Sequence, residues 1–440
     1  MMNEWLDPKS PENRRNAMWL LLIGMFAMTR INIGGKLGIS ELVMVVSAPF
    51  IFFKNIDAFR RERIMGFLLL IFLWICGAVF SDWYNHTDVP WAMRGIAHPT
   101  MVLVNVIVLY SLLRKNPENM RFLLLGIAFS SVISIFMFQR ISNDEWAMID
   151  NSLNAITGVL HYKLFWGSLI GSWLGALLSG WYLKIPKGIS LLLVFVVFVA
   201  YVLCGGRSAA ASYLISFILI YIGGKNAFSM LRIRRYIIPI AVIILTAGSL
   251  FKSAYKYAAV HGLLSEMEEK KYMQQTSGGK ESFLSMLMSG RSEIFIATIA
   301  ALDAPLVGHG SHAIDKNNYV ADFLMKYGTD TDRQLYYESA LQTIHRIPFH
   351  TQIVTFWMWH GIFGLLFWSY VLYLVVKTLI SRMAVYPPYF GYLAFTLPVL
   401  VWDILFSPFG LRVRECTTFV ICLLVRNMAN GIRYPVEMRK

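Results

Sequence analysis

A chain of 440 residues that is 57% hydrophobic and only 15% charged, with a mean hydropathy of +0.54, is too apolar for an ordinary soluble domain. The net charge of +14 and pI near 9.5 come with no basic stripe on a soluble segment and no binding motif, so nucleic acid is excluded as a partner. Apolar runs separated by short basic loops instead predict an all-α polytopic membrane protein that partners membrane lipids, since a backbone in hydrocarbon must satisfy its own hydrogen bonds.

Twelve spans are expected, at 17–33, 38–53, 64–81, 96–113, 121–138, 164–183, 188–204, 208–224, 235–251, 351–376, 388–406 and 413–428. The N-terminal tail is polar and mixed in charge, and no A-x-A-like site follows the first span, which reads as a retained helix. With the N-terminus inside, 22 of the 40 basic residues and seven of the 26 acids are cytoplasmic, so the inside carries +15 and the outside −1. That is the positive-inside pattern; it puts both termini in the cytoplasm. Cys76, Cys204, Cys416 and Cys422 lie in or beside spans and offer neither a disulfide framework nor metal-ligand spacing.

The order divides into an N-terminal bundle of about nine helices (1–251), a large external loop (252–350) and about three C-terminal helices (351–440). Within the loop, "MEEKKYMQQTSGGKES" reads as a solvated helix running into a flexible turn. "SGRSEIFIATIAALDAPLVGHGSHAIDKNNY" reads as a short amphipathic helix, a proline break and a Gly-rich turn. A connector of about a hundred residues is long enough to be functional. A second external loop is expected at 139–163.

Six basic side chains stand near the outer surface or within the membrane. Arg207, in "VLCGGRSAAAS", is either a snorkelling arginine or one facing an anion, with flanking glycines and a helix start beside it. Arg291 opens the amphipathic stretch and reads either as a solvated helix-start residue, paired with Glu293, or as a ligand-binding one. His350, after Pro348 at the mouth of span ten, is an interfacial histidine or a general base. His360, ten residues on and about 15 Å deeper along a helix, suits a packed, hydrogen-bonded role. His309 and His312, in "GHGSH", lack a third ligand or carboxylate at suitable spacing, so no metal is expected.

These features together resemble the bacterial O-antigen ligase and Wzy-type polysaccharide polymerase superfamily. The likeness rests on the twelve-span layout with a large loop between spans nine and ten, on "GGRSAAAS", and on "GRSEIF…APLVGHG". It rests also on His350, Thr351, Gly361 and Gly364, similar to the family pattern His-Asn/Ser/Gln, nine residues, Gly-x-x-Gly. Thr351 departs from that pattern. The resemblance implies a GT-C-like fold and an inverting, metal-independent glycosyltransferase without cofactors, in the bacterial inner membrane with its active site facing the periplasm. The donor would be a glycan on undecaprenyl diphosphate, with Arg207 and Arg291 holding the diphosphate, His350 as base, and His309, Gly310 and His312 in a substrate loop. The acceptor would be another lipid-linked glycan (polymerase, which His-Thr slightly favours) or the lipid A-core (O-antigen ligase); polysaccharide assembly and export proteins are candidate partners. A flippase for the same lipid-linked sugars is the alternative of another class. It would more often show repeats and charged or broken helices near mid-membrane.

Overall fold

The computed structural model describes residues 10–27, 29–32, 36–136, 167–180, 184–203, 207–223, 257, 292–328, 333, 346–379, 390–409 and 421. The expected spans 235–251 and 413–428, the loop 139–163 and the "MEEKKYMQQTSGGKES" stretch lie outside these residues, apart from single positions. Among the described residues there are 13 α-helices. They run α1 Pro11–Phe26, α2 Ile39–Arg61, α3 Met65–Tyr84, α4 Val89–Leu113, α5 Met120–Phe136, α6 Gly167–Gly180, α7 Lys187–Leu203 and α8 Arg207–Gly223. After the large loop begins come α9 Ser292–Asp303 and α10 Tyr319–Tyr327, then α11 Gln352–His360, α12 Ile362–Lys377 and α13 Phe390–Phe406.

Three of these, α2, α3 and α4, are long and apolar enough to cross a membrane; six shorter apolar helices follow. On α2, Val46, Phe50 and Phe53 are each at least 70% exposed. Aromatic and aliphatic side chains on that outer face suit lipid rather than water, because burying them in hydrocarbon is favourable. Together with the apolar helices, this makes the chain a membrane protein.

Two expectations need correcting. The first span, expected at 17–33, is a helix over Pro11–Phe26, followed by a small antiparallel ribbon of β1 (Arg30–Asn32) and β2 (Lys36–Gly38) with Ile31 opposite Leu37. Ser10 caps α1 by accepting from the Asn13 N–H at 3.2 Å, and a proline occupies the first helical position, so the helix starts earlier than hydropathy suggests. The tenth span, expected as one helix over 351–376, is two helices, α11 and α12, broken at Gly361.

Helix packing is close where glycines meet. A Cβ on Gly24 of α1 would sit 2.3 Å from the Leu123 carbonyl of α5, and one on Gly126 would sit 2.4 Å from that of Leu21. The two backbones therefore pack without side chains between them. One end of this bundle is polar. Asn13 accepts from Asn116 (3.0 Å) and Asn119 (2.8 Å), Lys115 pairs with Glu12, and Arg114 and Tyr110 converge on Glu62. The opposite end, where α3 leads into α4, receives the large loop.

Candidate active site

The loop after α9 is held by the break between α11 and α12. Gly361 has φ 64° and ψ −148°, a conformation that only glycine adopts readily. A Cβ there would also lie 2.0 Å from the Leu306 carbonyl. Because the helix stops, carbonyls in the last turn of α11 lose their intrahelical donors. The loop supplies replacements: His309 N–H donates to Met358 O at 2.7 Å and Gly310 N–H to Trp359 O at 3.1 Å, while Leu306 O accepts from Ile362 N–H at 3.1 Å. Gly308 and Gly310 both have φ 82°, and a Cβ on Gly308 would sit 2.6 Å from Trp359 O. The glycines of the loop and of the broken helix thus fit one another.

One face of α3 completes the clasp. Ser81 Oγ–H donates to Trp359 O at 2.6 Å, and the Asn85 amide donates to Gly308 O at 3.0 Å. The Asp82 carboxylate accepts from Ser311 twice, from N–H at 2.5 Å and from Oγ–H at 2.8 Å. Ser311 Oγ in turn lies 3.1 Å from His360 Nε2, and the Trp74 indole N–H donates to His360 Nδ1 at 2.9 Å. This chain fixes the tautomer. Nδ1 accepts, so the proton is on Nε2 and is donated to Ser311, whose own proton goes to Asp82. His360 is 1% exposed and both its nitrogens are engaged. It holds the fold together rather than moving protons. Ser311 reaches this position because Gly95 of α4 faces it; a Cβ on Gly95 would lie 1.7 Å from Ser311 Oγ.

His309 and His312 are placed differently. His309 Nε2–H donates to Ala300 O of α9 at 2.7 Å, tying the loop back to that helix. His312, at φ 53°, packs among Trp359, Trp91 and Phe349 at ring-centroid distances of 4.4, 4.8 and 5.4 Å. Burial, with the charges of Arg346 and Arg94 nearby, lowers its pKa to about 4, so it is neutral at pH 7. Among the described residues no group of three or more His, Cys, Asp or Glu could hold a metal ion.

His350 is half exposed at the mouth of α11. Its Nδ1 lies 4.0 Å from Glu293 Oε1, in the first turn of α9. A carboxylate facing one imidazole nitrogen leaves Nε2 for another proton partner. Thr351, immediately after, caps α11: its Oγ accepts from Val354 N–H at 3.5 Å and donates to Ile404 O of α13 at 3.2 Å. Arg207 is the first residue of α8, as expected for a helix-start position; its side chain, like the whole of Arg291, lies outside what is described. Residues 191–369, under half of the chain, match the family model Wzy_C, described as O-Antigen ligase.

That match is a similarity to O-antigen ligases. It supports the resemblance to the O-antigen ligase and Wzy superfamily drawn from the motifs, and it spans Arg207, Arg291, His350, Gly361 and Gly364. No curated protein matches the chain. Thr351, in place of the Asn, Ser or Gln of the family pattern, is informative once its role is visible. Threonine, asparagine and serine all cap helices, so the departure preserves the cap. Sequence reading missed Asp82, Ser311, Gly95 and the pairing of Glu293 with His350. A polar Ser-Asp pair at the end of the apolar run of α3 was the one available signal.

Proposed function

We propose that the chain is an inner-membrane glycosyltransferase that moves a glycan from undecaprenyl diphosphate to an acceptor sugar hydroxyl at the periplasmic face. The O-antigen ligase match supports the class of reaction. The observation that carries the site is the contrast between the two histidines: His360 is buried with both nitrogens engaged, whereas His350 is exposed and faces a carboxylate. His350 Nε2 takes the proton of the acceptor hydroxyl as its oxygen bonds to the donor's anomeric carbon. The bond from that carbon to the diphosphate oxygen breaks, and inversion follows from the direct displacement.

The leaving diphosphate needs cationic partners, and the planar forks of Arg207 and Arg291 suit it. Position favours them. Arg291 directly precedes α9, whose Glu293 faces His350. In α8, Ser216 contacts the Phe395 carbonyl of α13 at 3.3 Å. Counted from there, Arg207 and Ile404 are each nine residues away, about 14 Å along their helices. In an antiparallel pair, which the basic-residue pattern implies, they stand at one level, and Ile404 O receives the Thr351 hydroxyl beside His350.

Transporters also use broken helices to build central substrate sites. Here the break at Gly361 is filled by the chain's own loop, through Leu306, His309 and Gly310, which favours the enzyme. The test is transfer of a labelled undecaprenyl-diphosphate glycan by purified protein. His350→Ala should lower turnover about 10²–10⁴-fold, the span of general-base assistance, with expression and donor binding retained. More than about a tenth of wild-type turnover would remove His350 as the base. Deleting the gene separates the acceptors: glycans capped at one repeat unit mean polymerase, and full-length lipid-linked chains missing from the lipid A-core mean ligase.

A further inference from the structure

Beside the clasp lies a cleft of about 290 Å³ that His350 does not line. One wall is the α3–α4 turn, with Asn85, His86, Thr87 and Asp88, and the first turn of α4 with Trp91; the other is the 309–319 loop, and Arg346 contributes as well. Its volume is at the small end of ligand sites, about 300–1,000 Å³. The lining is mostly hydrogen-bonding: amides, hydroxyls, imidazoles, a carboxylate and an ammonium, with Ala313 and Ile314 as the aliphatic members.

The charges in it do not make an anion cradle. The Arg346 guanidinium lies 3.8 Å from the centre of the Trp91 ring and also donates to the His312 carbonyl, so it is engaged within the wall. His312 is neutral at pH 7, and the Asp88 carboxyl shares the rim with the Lys316 ammonium. Donors and acceptors of mixed charge beside the rings of Trp91 and Tyr319 match a polyhydroxylated ligand better than a phosphate.

The cleft is also connected to His350. Ile347 N–H donates to Ala313 O at 3.0 Å, and Ile314 bridges to Arg346, so the segment leading to His350 is pinned along the cleft's wall. From Arg346 to His350 is four residues, at most about 14 Å of extended chain. Phe349 continues the surface, its ring 5.4 Å from that of His312 on one side and 6.3 Å from that of His350 on the other. A short oligosaccharide lying in the cleft would present its end toward the base.

We infer that the cleft between the α3–α4 turn and the 309–319 loop is a glycan subsite that holds the acceptor sugar behind the hydroxyl that reacts. This rests on the glycan-transfer reading. The exposed pair His86 and Lys316 line the cleft, and neither lies in the clasp. The double variant His86→Gly/Lys316→Ala, with glycine suited to the positive φ of 52° at position 86, should therefore fold normally. Its acceptor KM should rise about tenfold, roughly the loss of two ordinary hydrogen bonds, with kcat and donor KM unchanged.

A second measurement does not depend on turnover. The repeat-unit oligosaccharide, released by mild acid from the host's lipid-linked pool, is titrated into His350→Ala protein by saturation-transfer NMR. Binding should be seen there and should weaken about tenfold when the two cleft substitutions are added. If wild-type protein transfers glycan but the double variant changes neither acceptor KM nor oligosaccharide binding by more than twofold, the subsite is wrong while the enzyme reading stands. If inorganic pyrophosphate displaces the oligosaccharide in the His350→Ala protein, the cleft is an anion site and the inference fails. If wild-type protein transfers nothing and binds no oligosaccharide, both readings fall.

Discussion

Replacing Ser311 by alanine should release the loop from the broken helix. The hydroxyl has two jobs in a buried place: it donates to Asp82 at 2.8 Å and accepts from His360 Nε2 at 3.1 Å. A hydrogen bond to a charged group contributes about 1.5–3 kcal/mol, and a buried donor left without a partner costs about 1–3 kcal/mol. The His360 N–H would be such a donor, because the Trp74 bond to Nδ1 holds its ring in place. The Ser311 N–H bond to Asp82 survives, so the total is about 3–4 kcal/mol rather than the full sum. The loss falls on local opening. The His309 and Gly310 amides, bonded to Met358 O and Trp359 O, are protected from exchange only while the loop is closed. At about 1.4 kcal/mol per factor of ten, their exchange protection should fall by about 10²–10³ in detergent-solubilised protein. Lys316→Ala, exposed and outside the clasp, should leave it unchanged. A drop of less than about tenfold in Ser311→Ala would mean that this chain of hydrogen bonds does not hold the loop.

Other outcomes follow from single sites. Arg207→Lys and Arg291→Lys should each impair transfer markedly with thermal stability nearly unchanged, because a point charge cannot reproduce a bidentate fork; near-normal activity in both, assayed with labelled donor, would return them to snorkelling or solvated roles. His312 has a folded pKa of about 4 against 6.5 unfolded, so the unfolded chain binds the extra proton and stability should fall as pH drops from 6.5 to 4. His312→Asn, which tolerates the positive φ, should flatten that part of the melting-temperature profile; an unchanged slope would assign the decline to other groups. Gln352 is fully buried, and neither its amide oxygen nor its nitrogen has a hydrogen-bond partner among the described residues. Gln352→Met should therefore keep or raise the midpoint of thermal unfolding, since an unpaired buried amide costs about 1–3 kcal/mol; a lower midpoint would show that the amide is satisfied in the membrane.

Local signals in the chain determined most of the helices. Apolar runs of membrane length, broken by basic loops, placed α3, α5, α7, α8 and α13 to within a few residues, because each must satisfy its backbone internally wherever it packs. The amphipathic stretch after Arg291, its proline and its Gly-x-Gly turn were legible too: α9 ends at Asp303, and Gly308 and Gly310 both take positive φ. What those glycines are for was not legible, since it depends on a partner fifty residues away. Only the tertiary structure puts the turn into the break at Gly361, and hydropathy could not see that break because the residues on both sides are equally apolar. The same holds for the histidines. The sequence separated His350 from His360 by depth alone. The fold decided their chemistry, engaging both nitrogens of His360 through Trp74 and Ser311 and setting Glu293 beside His350. Such roles come from contacts between α3, α9 and α11, and no periodicity within any one helix encodes which of its polar residues will meet another's.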